Sequence, residues 1–425
     1  MGQSLPVLMT LDTSRLTSPT ALVRKHLADH RRLHVLSAAA FILFVVAIFF
    51  ARGGKAPGLS VAPIFAGALL AFASGAAADT LRKNLWLWLS FAFLVAWQMA
   101  GALFGDMPRS IDDPSKIALL AAFFLFAVQT SRVLNTRQIL WIIAGIGAAS
   151  AFLSIVVHVV RAPDLMGRMI PLGRGGNPIP GAGALASALI ATMALWVDEK
   201  SRSRKTMAIL LMLAVPLVAG LVWTQSRGPL IALCLALPLA LLLERRGMLI
   251  VLMGCLGSWL VVTGLVIFEP NIKAVICGDN VDWCRPSNRS QVWELVRAQI
   301  ALHPILGSGP EFRFPYEWLS HAHNGFFGIA LYFGLGGLVA SAFMVAGYAR
   351  CLTRATDDTL RFFGLASLIF SFGYMGADLP NPFAFFNTHY LFMWFPILLV
   401  LARDRVSFNV KATSAAPVPG VAQRI

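Results

Sequence analysis

The chain has 425 residues, 57% of them apolar and only 13% charged, with a mean hydropathy of +0.72. Soluble globular proteins carry about a quarter charged residues, so this composition excludes a soluble enzyme, a disordered chain and a coiled coil. The formal net charge of +15 points to nucleic acid only if the basic residues cluster on a soluble surface.

They do not cluster so, because they flank long apolar runs. Twelve such runs lie near 33–51, 59–78, 85–105, 117–131, 138–160, 179–197, 206–223, 229–243, 247–267, 324–348, 360–377 and 383–402. About 20 apolar residues cross a bilayer as helix, so the sequence predicts an all-α integral membrane protein of about twelve transmembrane helices. The first run is too long, and follows too long a polar segment, for a cleaved signal peptide; it reads as a start-transfer span. The expected organisation is a cytoplasmic tail over 1–32, spans one to nine within 33–267, an external loop over 268–322, spans ten to twelve within 323–402, and a second cytoplasmic tail over 403–425.

Twelve spans put both ends of the chain on one side. With the ends inside, 22 Lys/Arg fall on the inner side and 13 on the outer. Lys/Arg enrichment marks cytoplasmic loops, so the basic surplus reads as a topology signal rather than a nucleic-acid footprint. Cys277 and Cys284 then lie in an outer loop, where disulfides persist, and a Cys277–Cys284 bridge would close a tight turn there; unpaired thiols are the alternative.

One connection far exceeds ordinary lengths, 268–322, and long loops of this kind are usually functional. Within it, Pro286, Ser287 and Asn288 offer a helix start, and Arg289 to His303 carries apolar residues at Val292, Val296 and Ile300 with Trp293 beside them. This is an amphipathic helix stopped by Pro304, followed by the turn-rich Pro304-Ile-Leu-Gly307-Ser-Gly309.

The outward arginines are the first chemical candidates. Arg227 sits in the short turn Thr224-Gln225-Ser226-Arg227-Gly228-Pro229, where a helix start presents free N–H groups. Arg289 heads the amphipathic helix, and Arg174 lies in a glycine-rich turn. Guanidinium groups grip phosphate oxygens bidentately and stay charged. Arg161, Arg168, Arg297 and Arg313 read as headgroup-contacting side chains. His323, in His321-Ala-His323-Asn324, is a candidate general base; His321 and Asn324 read as interfacial and helix-capping residues. His389, inside the last run, reads as a bundle residue. No metal site is expected: Asp112-Asp113 precede Pro114 as a helix start. The sequence contains neither a phosphate loop ending in Lys-Ser/Thr nor a serine nucleophile elbow.

Three ordered pieces resemble the O-antigen ligase family, within the wider group of bacterial oligosaccharide ligases and O-antigen polymerases. They are Ser226-Arg227-Gly228; Arg289-Ser-Gln-Val-Trp293 with Pro304-Ile-Leu-Gly307-Ser-Gly309; and His323-Asn324 ahead of Gly334-Leu-Gly336. The resemblance covers roughly 205–350, with Gly325 standing where relatives more often carry a bulkier residue. It implies an inner-membrane glycosyltransferase with a GT-C-like architecture and a periplasmic active site, using neither metal nor cofactor. The implied donor is polysaccharide on undecaprenyl pyrophosphate and the acceptor is lipid A–core, in lipopolysaccharide synthesis. His323 then matches the catalytic histidine, Arg227 and Arg289 the essential arginines, and Arg174 a further pyrophosphate contact, with His321, Asn324 and Ser226 in supporting roles. An O-antigen polymerase or a protein O-oligosaccharyltransferase is the nearest alternative. A lipid-linked oligosaccharide transporter is the alternative from another class, and it predicts polar residues deep in the spans. All 35 Lys/Arg instead fall outside the apolar runs or at their ends.

Overall fold

Each of the twelve apolar runs forms helix in the computed structural model, which describes residues 19–51, 57–104, 113–161, 167–173, 177–198, 203–269, 271, 289–309, 312–316, 318–319, 321–379, 381–383 and 386–403. The helices are α1 (Pro19–Phe50), α2 (Pro57–Ala73), α3 (Ala76–Lys83), α4 (Leu85–Phe104), α5 (Asp113–Val133), α6 (Thr136–Arg161), α7 (Pro178–Val197), α8 (Arg204–Trp223), α9 (Arg227–Leu243), α10 (Met248–Ile267), α11 (Arg289–Leu302), α12 (Gly325–Arg354), α13 (Asp358–Ala377) and α14 (Phe395–Arg403). A π-helical turn, Tyr390–Trp394, leads into α14. The described residues form an all-helical integral membrane bundle.

The helices formed by the twelve runs differ in length. Among the described residues, nine helices are long and apolar enough to cross a membrane, or up to ten if one bent pair counts as a span. That pair, Val61–Ala73 and Ala76–Lys83, turns through 88° at Gly75, whose φ of 74° few other residues adopt. Two further runs form shorter apolar helices, α9 with 17 residues and Tyr390–Arg403. Helix α1 starts at Pro19, and its candidate membrane span is Arg31–Phe50, close to the run expected from 33.

Helix α13 is the hub, nine-tenths buried and packed against α7, α9 and α10. Its start is fixed by Asp357, whose carboxylate accepts the Leu360 N–H at 3.1 Å, an ordinary N-cap. Aromatic rings seal the far side: Phe44 packs against Phe123, Phe126 and Phe395, with centroids 5.2, 5.3 and 6.1 Å away.

Helix α12 breaks at Gly334 (φ 58°, ψ −150°). Backbone groups freed at membrane depth must find partners, and the turn after α11 supplies them. Ser308 N–H donates to Leu331 O at 2.7 Å, Gly309 N–H to Tyr332 O at 3.0 Å, and Leu335 N–H to Pro304 O at 3.0 Å; the Trp97 indole donates to Phe333 O at 2.9 Å. A Cβ on Gly334 would lie 2.2 Å from Ile305 O. The turn-rich motif and the glycine motif of the sequence are thus two halves of one interlock. Gly334→Ala is expected to destabilise the fold by about 2 kcal/mol or more through backbone strain and this clash, measured as a lowered melting temperature in detergent.

Candidate active site

Five segments converge at one end of the bundle: 167–173, the α8–α9 turn, α11, the histidine turn before α12, and the end of α13. They enclose a cavity of about 350 Å3 lined by Arg168, Arg227, Arg289, Trp318, His323 and Asp378, among others.

The α8–α9 turn is built from buried polar groups. Thr224 Oγ1 donates to Leu221 O at 2.7 Å, and Gln225 takes a φ of 49°, which reverses the chain in three residues. Segment 167–173 lies over this turn: Met169 N–H donates to Trp223 O, and Arg168 donates from Nε to Thr224 O at 2.7 Å and from Nη2 to Ser226 Oγ at 3.0 Å. Arg168 is therefore a fixed wall of the cavity, not the headgroup-contacting residue expected. Ser226 is buried and serves it as acceptor. Arg227 opens α9 and pairs with Glu269 at 2.8 Å, so one carboxylate aims this guanidinium and offsets its charge.

Helix α11 buries Val292, Trp293 and Val296, the stripe read from the sequence. The Trp293 indole donates to Ala322 O at 3.1 Å and meets Phe327 edge-on, centroids 5.6 Å apart. This contact clamps the histidine turn. His323 has a φ of 49°; its N–H donates to His321 Nδ1 at 3.2 Å, and the two rings lie 3.8 Å apart. Asn324 caps α12, its Oδ1 accepting from Phe326 N–H at 3.1 Å and Phe327 N–H at 3.2 Å. The glycine at 325 has a physical reason: a Cβ there would meet Met375 at 2.7 Å.

Opposite stands Asp378, directly after α13, followed by Leu379 with a φ of 60°. All three non-glycine residues with positive φ among the described residues, Gln225, His323 and Leu379, thus belong to or adjoin this cavity, and strained backbone concentrates at functional sites. Asp378 Oδ1 lies 3.4 Å from His323 Nδ1, long for a hydrogen bond but close enough to pair a charged ring. Burial raises the Asp378 pKa, but the His323 contact and the nearby His321 and Arg289 outweigh it and hold the carboxyl below its ordinary value. For His321, burial first, then His323 and Arg289, push the pKa down to about 4 against the opposing pull of Asp378. A neutral His321 is what its accepting role requires.

His321, His323 and Asp378 also offer three donor atoms within 4.8 Å of one another, the number of protein ligands in many catalytic zinc sites.

Of the residues expected from sequence, the fold brings Arg227, Arg289, His323 and Ser226 onto one cavity, with His321 and Asn324 supporting its histidine turn. His389 is buried in the bundle against Tyr390. Arg174, Cys277 and Cys284 lie outside the described residues. Asp378, Arg168 and Glu269 are the residues that sequence reasoning missed. The one signal for Asp378 was an acid ending an apolar run, ahead of Leu379-Pro-Asn381-Pro382.

Residues 211–342 match the family model described as O-Antigen ligase. Over this segment the chain is similar to the O-antigen ligase family. That is a family of membrane glycosyl-transferring ligases, and the matched segment contains Arg227, Arg289 and His323 but neither Arg168 nor Asp378. No curated protein matches the chain.

Proposed function

We propose that this protein, like the family its segment 211–342 resembles, transfers a polysaccharide from undecaprenyl pyrophosphate to a sugar hydroxyl of lipid A–core, at the periplasmic face of the bacterial inner membrane. The observation that carries the reading is the shared cavity: two arginines and a histidine separated by up to 96 residues line it together with Asp378. The inner-side excess of Lys/Arg supports a cavity that faces outward.

In this reading Asp378 accepts from His323 Nδ1–H, leaving Nε2 as the base. Nε2 takes the acceptor hydroxyl proton while that oxygen attacks the anomeric carbon. The bond from that carbon to the pyrophosphate oxygen breaks, and its electron pair leaves with the pyrophosphate. Arg168, Arg227 and Arg289 meet the charge that develops, and attack from the opposite face inverts the anomeric centre. Polymerase and protein O-oligosaccharyltransferase activities would use the same chemistry on other acceptors. Lipopolysaccharide from a deletion strain separates the first of these: loss of a ligase leaves free lipid-linked polymer, whereas loss of a polymerase leaves single-repeat lipopolysaccharide.

The donor cluster of His321, His323 and Asp378 favours a second reading, in which a divalent metal activates the acceptor. Purified protein given lipid-linked donor and lipid A–core is expected to keep its full rate in EDTA. Loss of activity in chelator, restored by added zinc, would replace the base mechanism with the metal one; absence of transfer under any condition would remove the proposed function.

A further inference from the structure

The cavity holds three guanidinium groups suited to a pyrophosphate, yet sugars are neutral and need a different surface. One aromatic ring stands at its rim, with a second stacked on it. Trp318 lines the cavity beside Arg289 and His323 while remaining 55% exposed, and Tyr316 is 45% exposed. Their rings stack with centroids 5.9 Å apart and planes 30° from parallel. Exposed aromatic pairs are costly to leave in water and mark contact surfaces. Tryptophan and tyrosine also anchor proteins at the membrane interface, but an anchor turns its ring to lipid, whereas Trp318 turns toward a cavity walled by arginines, histidine and aspartate. A pyranose has one face made of C–H bonds, which rests on the electron-rich face of an aromatic ring while the hydroxyls stay hydrated.

We propose that Trp318, backed by Tyr316, is a docking platform for a pyranose ring of the oligosaccharide handled at this site. The proposal rests on the transferase reading for its choice of sugar, but binding alone tests it. The full chain in lipid nanodiscs is measured against three probes: deacylated core oligosaccharide, lipid-linked polysaccharide, and sugar-free undecaprenyl pyrophosphate. Trp318→Ala is expected to weaken one sugar-bearing probe by about tenfold, and the probe affected shows whether the acceptor or the donor sugar docks there. Sugar-free undecaprenyl pyrophosphate is expected to bind Trp318→Ala as it binds the natural protein, and Trp318→Phe to recover most of the lost affinity. In turnover, KM for the affected substrate rises while kcat changes little. Unchanged affinity for both sugar probes would overturn the platform and leave Trp318 an interfacial anchor. Equal weakening of the sugar-free lipid would overturn it as well, by showing that the loop or the cationic site has collapsed. If the natural protein bound sugar but transferred nothing, the transferase reading would fail while the platform stood.

Discussion

Replacing His323 by alanine is expected to lower the rate of transfer by about 10²–10⁴-fold, the usual contribution of a positioned base, with binding of the lipid-linked donor retained. An unassisted sugar hydroxyl is a poor nucleophile. Asp378→Asn is expected to cost about 10²-fold, because an amide at 3.4 Å from Nδ1 no longer selects the Nδ1–H tautomer nor stabilises the charged ring. The pair acts as a unit, so the double variant should be little slower than His323→Ala alone. Initial rates with purified protein check this. Additive losses would show that Asp378 acts elsewhere, and a His323→Ala enzyme with near-normal rates would remove the base assignment.

Arg289→Ala is expected to lower kcat by about 10²–10³-fold, the cost of removing one preorganised group from a developing oxyanion. Arg289→Lys keeps the charge but loses the planar fork that matches phosphate geometry, and should fall between alanine and the natural protein. Arg227 behaves differently because Glu269 holds it at 2.8 Å. Arg227→Ala leaves a largely buried carboxylate next to the cavity in place of a cation, so its loss should exceed that of Arg289→Ala. Arg227→Ala combined with Glu269→Gln should recover part of that loss. Affinity for sugar-free undecaprenyl pyrophosphate, measured beside kcat, separates ground-state binding from stabilisation of the leaving group. Equal losses for Arg227→Ala with and without Glu269→Gln would mean that the remaining carboxylate does not oppose the substrate.

The apolar runs by themselves determined that this is a helical membrane bundle, because a bilayer admits few other ways to satisfy a backbone. They could not determine where those helices bend: Gly75 turns one through 88° and Gly334 breaks another, and each depends on a single residue that barely alters hydropathy. The turn arginines and His323 were legible as well, since charge at the ends of apolar runs is rare enough to stand out. Asp378, Arg168 and Glu269 were not. Each is an ordinary interfacial residue in sequence, and each gains its role only where the fold sets it: Asp378 at 3.4 Å from an imidazole, Arg168 across the α8–α9 turn, Glu269 beside Arg227. Hydropathy records the solvent that a segment prefers, whereas the partner of a charge is a matter of distances between remote segments, which helix packing alone sets.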